Sequence, residues 1–174
     1  MTAPITIEDY DPLSPEKFET LRRRIAPVLN ELVAAIEHIG STAVPGLAAK
    51  PIIDIDILLR SAADFPLVRA RLASMGYEHQ GDLGVAGREA FRTPPSQTAH
   101  HLYVCSPGSR EYGRHIAFRD YLRTHPEDAS AYATLKRKLA AKSANDREAY
   151  TQAKTKFVED ILRRAKTKHS SQMK

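Results

Sequence analysis

The stretch EHIGSTAVPGLAAKPIIDIDILL, residues 37–59, decides the fold. It opens as a strand, Leu32 to Ile39, and breaks at Gly40-Ser41. A loop with Pro45, Gly46 and Pro51 follows, and Ile52 to Leu59 reads as a second, strongly apolar strand. Alternate side chains of a strand share a face. Ile53, Ile55 and Ile57 therefore point one way, and Asp54 and Asp56 the other, roughly 6.5–7 Å apart along the chain. An unpaired buried carboxylate is very costly, and two together are worse unless a cation or a shared proton relieves them. A divalent metal held through carboxylate oxygens fits, Mg²⁺ (or Mn²⁺) using one or two carboxylates plus substrate phosphates. A strand with one face open to water would carry the same pattern, so the preceding loop matters.

In that loop Gly40-Ser41-Thr42 follows a strand directly. A tight glycine turn with small hydroxyl residues forms an anion cradle of backbone N–H groups and hydroxyls. Lys50 adds a positive charge nearby. Taken alone, such a turn is usually only a turn. Beside two carboxylates it offers phosphate contacts next to metal ligands, the pairing that transfer of a group from a nucleoside triphosphate needs.

Outward from this block, residues 4–13 read as an extended arm. Ser14-Pro15-Glu16 starts a helix, with Ser14 as N-cap and Pro15 at the first helical position. Phe18, Leu21, Ile25, Val28 and Leu32 recur at helical spacing, and Pro27 within them kinks or shortens the helix. Asp64 to Met75 is an amphipathic helix with Gly76 as its C-cap. Residues 77–105 look like β-structure: a piece at Tyr77, another over Arg88 to Arg92, and HHLYVC at 100–105. From Glu111 to about Ala165 the pattern is helical. One helix ends at His125-Pro126, a second covers Asp128 to Lys142, and a third covers Asp146 to Ala165. The Tyr/Leu/Phe stripes of the last two read as core. The order of elements predicts an α+β fold.

The chain has 174 residues with 42% hydrophobic and 27% charged content, enough for one domain with a sizeable core. No apolar run approaches the ~20 residues of a membrane span, and the N-terminus shows no secretory pattern. The single Cys105 forms no internal disulfide and excludes a cysteine zinc cage; a reducing cytoplasm is the expected location. The net charge is +5, but without the lysines of the tail KTKHSSQMK the body carries only +2, a weak footing for nucleic acid. That tail is expected to be disordered.

Ile39-Gly40-Ser41, twelve residues, then Asp54-Ile55-Asp56-Ile57 resembles the signature of the polymerase-β-like nucleotidyltransferase superfamily. More closely, the chain resembles the GrpB family of that superfamily. The likeness rests on residues 37–57, on HHLYV at 100–104, on AFRDYLRTHPEDASAYATLKRKLA at 117–140 and on DREAYTQAKTKFV at 146–158. It covers about residues 5–165. It implies a mixed β-sheet packed with helices and a cytoplasmic protein; with the tail read from its composition, the expected organisation is a single domain over 1–165 and a disordered basic tail over 166–174. It also implies Gly40 and Ser41 holding triphosphate and Asp54 and Asp56 holding Mg²⁺ (or Mn²⁺), and the loop reading adds Thr42 and Lys50 as candidate nucleotide-binding residues.

Two departures stand out. Active superfamily members usually carry a third carboxylate on a later strand facing the first two, and the matching strand here, His100 to Val104, has no acid. His101 is the candidate in its place, as metal ligand, base or phosphate contact; a plain strand histidine would look the same. The family commonly reads HLHV, and Tyr103 replaces the second histidine. Glu89 is the nearest substitute acid, a third metal ligand if it faces the pair, although a solvent-facing strand acid is the simpler reading. Arg88, Arg92 and Arg119 are of a type that contacts phosphate or an acidic substrate; His115 and His125 receive no role.

The sequence thus predicts a metal-dependent nucleotidyltransferase using an NTP donor and an unknown small-molecule acceptor. The alternatives are a nucleotide- or phosphate-binding module without turnover, and a partner-binding protein. Neither the acceptor, the base preference nor the oligomeric state is legible.

Overall fold

The computed structural model describes residues 5–95, 98–142 and 147–171. Its centre is a five-stranded mixed sheet in the order β1-β2-β5-β4-β3. The strands are β1 (Val33–Ile39), β2 (Ile53–Leu59), β3 (Glu78–Gly81), β4 (Arg88–Arg92) and β5 (His100–Cys105). β2 runs parallel to β5 and antiparallel to β1, and β4 is antiparallel to both β5 and β3. The helices are α1 (Ser14–Leu29), α2 (Phe65–Ser74), α3 (Arg110–Thr124), α4 (Pro126–Lys142) and α5 (Arg147–Ser171). The expected α+β class is what the chain adopts.

The isoleucine face of β2 is the floor of the main core. Ile53, Ile55 and Ile57 join Leu102 and Val104 of β5 and Phe91 of β4. Above them lie Leu21, Ile25 and Leu29 of α1 and Val68 and Leu72 of α2. Each fully buried aliphatic side chain contributes about 1.5–3 kcal/mol. A second core joins Val44, Leu47 and Ala48 of the loop after β1 to Tyr121 and Leu122 of α3, Tyr132 and Ala133 of α4 and Ile161 of α5. The loop that opens with Gly40-Ser41 is thereby clamped under the C-terminal helices.

Several boundaries differ from expectation for local reasons. Leu13, not Ser14, is the N-cap of α1, and no side chain caps it. Ser14 is inside the helix and buried, while Asp11 accepts from the Leu13 N–H and pairs with Lys17. α1 runs through Pro27 and ends at Leu29, before Asn30 turns to a φ of 38°. Leu32 closes a short 3₁₀ turn instead of opening β1. Gly76 lies one residue past the C-cap Met75, at a φ of 89°. The Tyr77 N–H donates to Leu72 O and the Gly76 N–H to Ala73 O, the paired closure that glycine permits there. α4 starts at Pro126, two residues before the expected Asp128. α5 continues to Ser171, into the stretch expected as a disordered tail, because no Gly or Pro interrupts residues 147–171. Pro4 of the arm, Asp146 and residues 172–174 lie outside the described residues.

Candidate active site

The register of the sheet builds the site. Parallel pairing sets Asp54 beside His101 and Asp56 beside Tyr103, and antiparallel pairing sets Glu37 of β1 on the other side of Asp56. All five side chains share the face opposite the main core. Two imidazoles then divide the carboxylates. His101 Nδ1 lies 2.7 Å from Asp54 Oδ1, and His115 Nδ1, brought in by α3, lies 2.7 Å from Asp56 Oδ2. His115 Nε2 reaches Glu111 Oε1 at 3.2 Å, so this imidazole bridges two carboxylates.

The electrostatics follow from depth. Asp56 is 0% exposed, and burial holds its carboxyl above the usual range against the opposing hydrogen bond from His115. For His115, burial alone would lower the pKa, but the Asp56 hydrogen bond and the charges of Asp56 and Glu111 outweigh it and raise it. His101 is raised by its hydrogen bond to Asp54.

Gly40 is tied to the same acid. Its φ of 72° suits glycine, and a Cβ there would come within 2.5 Å of Asp54 Oδ2. Ser41, one residue on, accepts a 2.8 Å hydrogen bond from Lys136 Nζ. Lys136 projects from α4, is 3% exposed, and also donates to Ala48 O. Burial, then the nearby Lys154 charge, pushes its pKa down to about 7 although Asp54 opposes this. Lys154 is lowered in the same way, by burial and by Lys50. Lys50 and Lys154 both sit over the Tyr150 ring, at 5.1 and 4.6 Å from its centre. Lys136, at Ser41, and Lys154 thus lie within electrostatic reach of Asp54, and Lys50 disfavours the charge of both.

Of the residues expected at the site, the structure gathers Gly40, Ser41, Lys50, Asp54, Asp56 and His101. It places two elsewhere. Thr42 is buried, and its hydroxyl donates to Ile52 O at 3.4 Å, so it accepts from His38 Nε2 at 2.9 Å. The hydroxyl is thus consumed behind the turn, by a His38 kept neutral by burial with its pKa lowered to about 4. Glu89 pairs in register with Val104, which puts it on the opposite face of the sheet, 2.6 Å from His79. It is no third ligand for Asp54 and Asp56. Arg92 pairs with Glu78, and Arg119 ties α3 to β1 through Glu37 and the His38 carbonyl.

His115, Glu111, Lys136 and Lys154 are the residues sequence reasoning passed over. One signal was present. Lys136 stands on the stripe Ala129, Tyr132, Ala133, where a core residue is expected, and His115 stands on the stripe with Phe118 and Leu122.

Asp54 and Asp56 suit a divalent cation in two respects. Both present hard carboxylate oxygens on one face, and Asp56 Oδ1 is buried with no partner. Among the described residues, no group of three or more His, Cys, Asp or Glu is arranged to hold a metal. The remaining ligands would be substrate oxygens and water.

The fold is that of the nucleotidyltransferases. A structure of the Cid1 poly(U) polymerase with MgGTP bound superposes with a TM-score of 0.54 over 78% of this chain and 44% of that one; at 13% identity the likeness is of fold alone. The GrpB protein family model matches residues 4–164, so the chain belongs to the GrpB family. The crystal structure of conserved protein GrpB from Enterococcus faecalis agrees at a TM-score of 0.85 with 35% identity, covering 94% of this chain and 99% of that one. The UPF0157 protein YqkA of Bacillus subtilis is 37% identical over 151 residues, 87% of this chain but 44% of its own length. Among the described residues, no helix is long and apolar enough to cross a membrane.

Proposed function

We propose that this protein binds a nucleoside triphosphate with Mg²⁺ or Mn²⁺ and transfers its nucleotidyl group to a small-molecule acceptor. The observation that carries this reading is the polarity of one sheet face. Two carboxylates stand on that face, and beside Asp54 the loop and the C-terminal helices bring Lys50, Lys136 and Lys154 together with the Ser41 hydroxyl. A triphosphate with its metal is a ligand of matching charge order. Lys50, Lys136 and Lys154 neutralise the β- and γ-phosphates, while the Gly40-Ser41 turn fixes their position. Asp54 and Asp56 hold the cation, which supplies charge neutralisation at the reacting phosphorus when bound. In the reaction an acceptor hydroxyl forms a bond to the α-phosphorus and the bond to the β-phosphate bridge breaks. Pyrophosphate leaves, and the hydroxyl proton passes to solvent.

A second reading, nucleotide binding without turnover, is favoured by His101. It stands in register with Asp54 on the strand where a third acid is usual in this superfamily. Thermal unfolding with each of the four NTPs and Mg²⁺ or Mn²⁺ tests the binding common to both readings. A ligand at ~100 times its Kd adds about 2.7 kcal/mol, several degrees for a chain of this size. The expected result is a metal-dependent rise with at least one NTP, lost in Asp54→Asn/Asp56→Asn. No rise with any NTP, in wild type as in the variant, removes the nucleotide reading. Release of pyrophosphate separates turnover from binding.

A further inference from the structure

Two buried polar atoms on the aspartate face have no partner: Asp56 Oδ1, an acceptor, and Arg88 Nε, a donor. They belong to neighbouring parts of one surface. Asp56 is in register with Tyr103, and Arg88 of β4 is in register with Cys105, two residues further along β5, so all four side chains share that face. The Arg88 guanidinium lies over the Tyr103 ring, 4.4 Å from its centre. This contact restrains the guanidinium against the ring, and its Nε–H is left without a hydrogen-bond partner.

Other arginines of the fold have carboxylates. Arg92 meets Glu78, Arg114 meets Glu159 and Arg119 meets Glu37. Arg88 makes no ion pair among the described residues, although it is partly buried and preoriented by an aromatic ring. Asp56 and Arg88 attract each other through space, but a buried guanidinium N–H and a buried carboxylate oxygen that each lack a hydrogen bond are both costly. Both costs are relieved by one ligand that carries an oxyanion for Arg88 and a hydroxyl for the Asp56 end.

We propose that Arg88 is the acceptor-recognition residue, and that the acceptor is a small hydroxy compound bearing a carboxylate or a phosphate monoester. This rests on the nucleotidyl-transfer reading for the word acceptor, but the anion site itself does not depend on it. Arg88 grips the anion, and the Tyr103 ring holds the guanidinium flat for a two-point contact. The hydroxyl then faces Asp56, on the face where the donor phosphates are proposed to lie.

Inorganic phosphate and acetate are the probes, titrated by chemical-shift perturbation with the lysine cluster saturated by a non-hydrolysable NTP analogue. Wild type is compared with Arg88→Ala and Arg88→Lys, and the NTP-dependent thermal shift of each is recorded in parallel. The expected result is a loss of probe affinity of about tenfold or more in Arg88→Ala, with the NTP shift retained. Arg88→Lys keeps the stem and the charge but not the fork, and falls between; it carries the test if the alanine variant does not fold. The probe that binds better tells phosphate monoester from carboxylate. Probe binding of equal strength in all three proteins overturns the proposal, as does loss of the NTP shift in Arg88→Ala, which would place Arg88 on the donor. Absence of any probe binding overturns it too. An Arg88-dependent probe site in a protein that shows no NTP shift upholds the anion site and removes the nucleotide reading instead.

Discussion

At Gly40 a missing side chain makes room for a functional one. Any Cβ there meets Asp54 Oδ2 at 2.5 Å, in a backbone conformation with a φ of 72°. Gly40→Ala is therefore expected to cost about 1–3 kcal/mol in the backbone alone and to push the Asp54 carboxylate out of place. Urea denaturation reads the first effect and NTP affinity the second; an alanine variant with unchanged stability would show that the turn relaxes freely. Lys136 yields a pH prediction. Its folded pKa, about 7, lies well below that of a lysine in the unfolded chain. The unfolded state thus binds a proton that the folded state refuses between these values, and stability from this residue rises with pH across that window. Lys136→Met is expected to flatten the rise in urea midpoint between about pH 7 and pH 9 relative to wild type. Equal slopes in the two proteins would contradict a depressed pKa.

Among the elements, α3 does most to complete the site. It supplies His115 to Asp56, and it is locked to β1 by Arg119. Nη1 of that residue donates to Glu37 Oε2 at 2.6 Å and to His38 O at 3.0 Å. Arg123 adds a hydrogen bond to Ala43 O at 2.9 Å, on the loop after the Gly40 turn. Arg119→Ala removes a buried charged fork from a half-exposed Glu37 and is expected to cost about 2 kcal/mol, measured by chemical denaturation. A loss below about 0.5 kcal/mol would mean that the apolar packing of α3 holds it without the clamp. The helices also mark the limit of what the sequence could tell. Asp54, Asp56, Gly40 and Ser41 were legible because they lie on one turn and one strand within residues 40–56, joined by the pairing of adjacent strands β1 and β2. His115 and Lys136 were not. Lys136 reaches Ser41 across 95 residues of chain and His115 reaches Asp56 across 59, so their roles depend on helix docking that no local period encodes. Thr42 was misplaced for the opposite reason: its hydroxyl is satisfied by His38 and Ile52 behind the turn, a competition that the G-S-T pattern does not display. Glu89 fell on the wrong face because a single step of strand register reverses every side chain, and the register of β4 against β5 lies outside local sequence.

Across the whole molecule, the sheet separates two kinds of surface. One face is a conventional aliphatic core under α1 and α2. The other gathers carboxylates, imidazoles and lysines under α3, α4 and α5, at a cost in stability that the proposed ligand would relieve. That cost gives the central claim a signature. A triphosphate seated against Lys136 must restore its charge, so binding near pH 8 takes up a proton from the buffer. Calorimetric titration of NTP with Mg²⁺ or Mn²⁺, run in two buffers of different ionisation enthalpy, measures this directly. The account predicts saturable binding with an uptake approaching about one proton per nucleotide, abolished in Lys136→Met. Binding with no proton uptake, or no binding by any of the four NTPs with either metal, would contradict it.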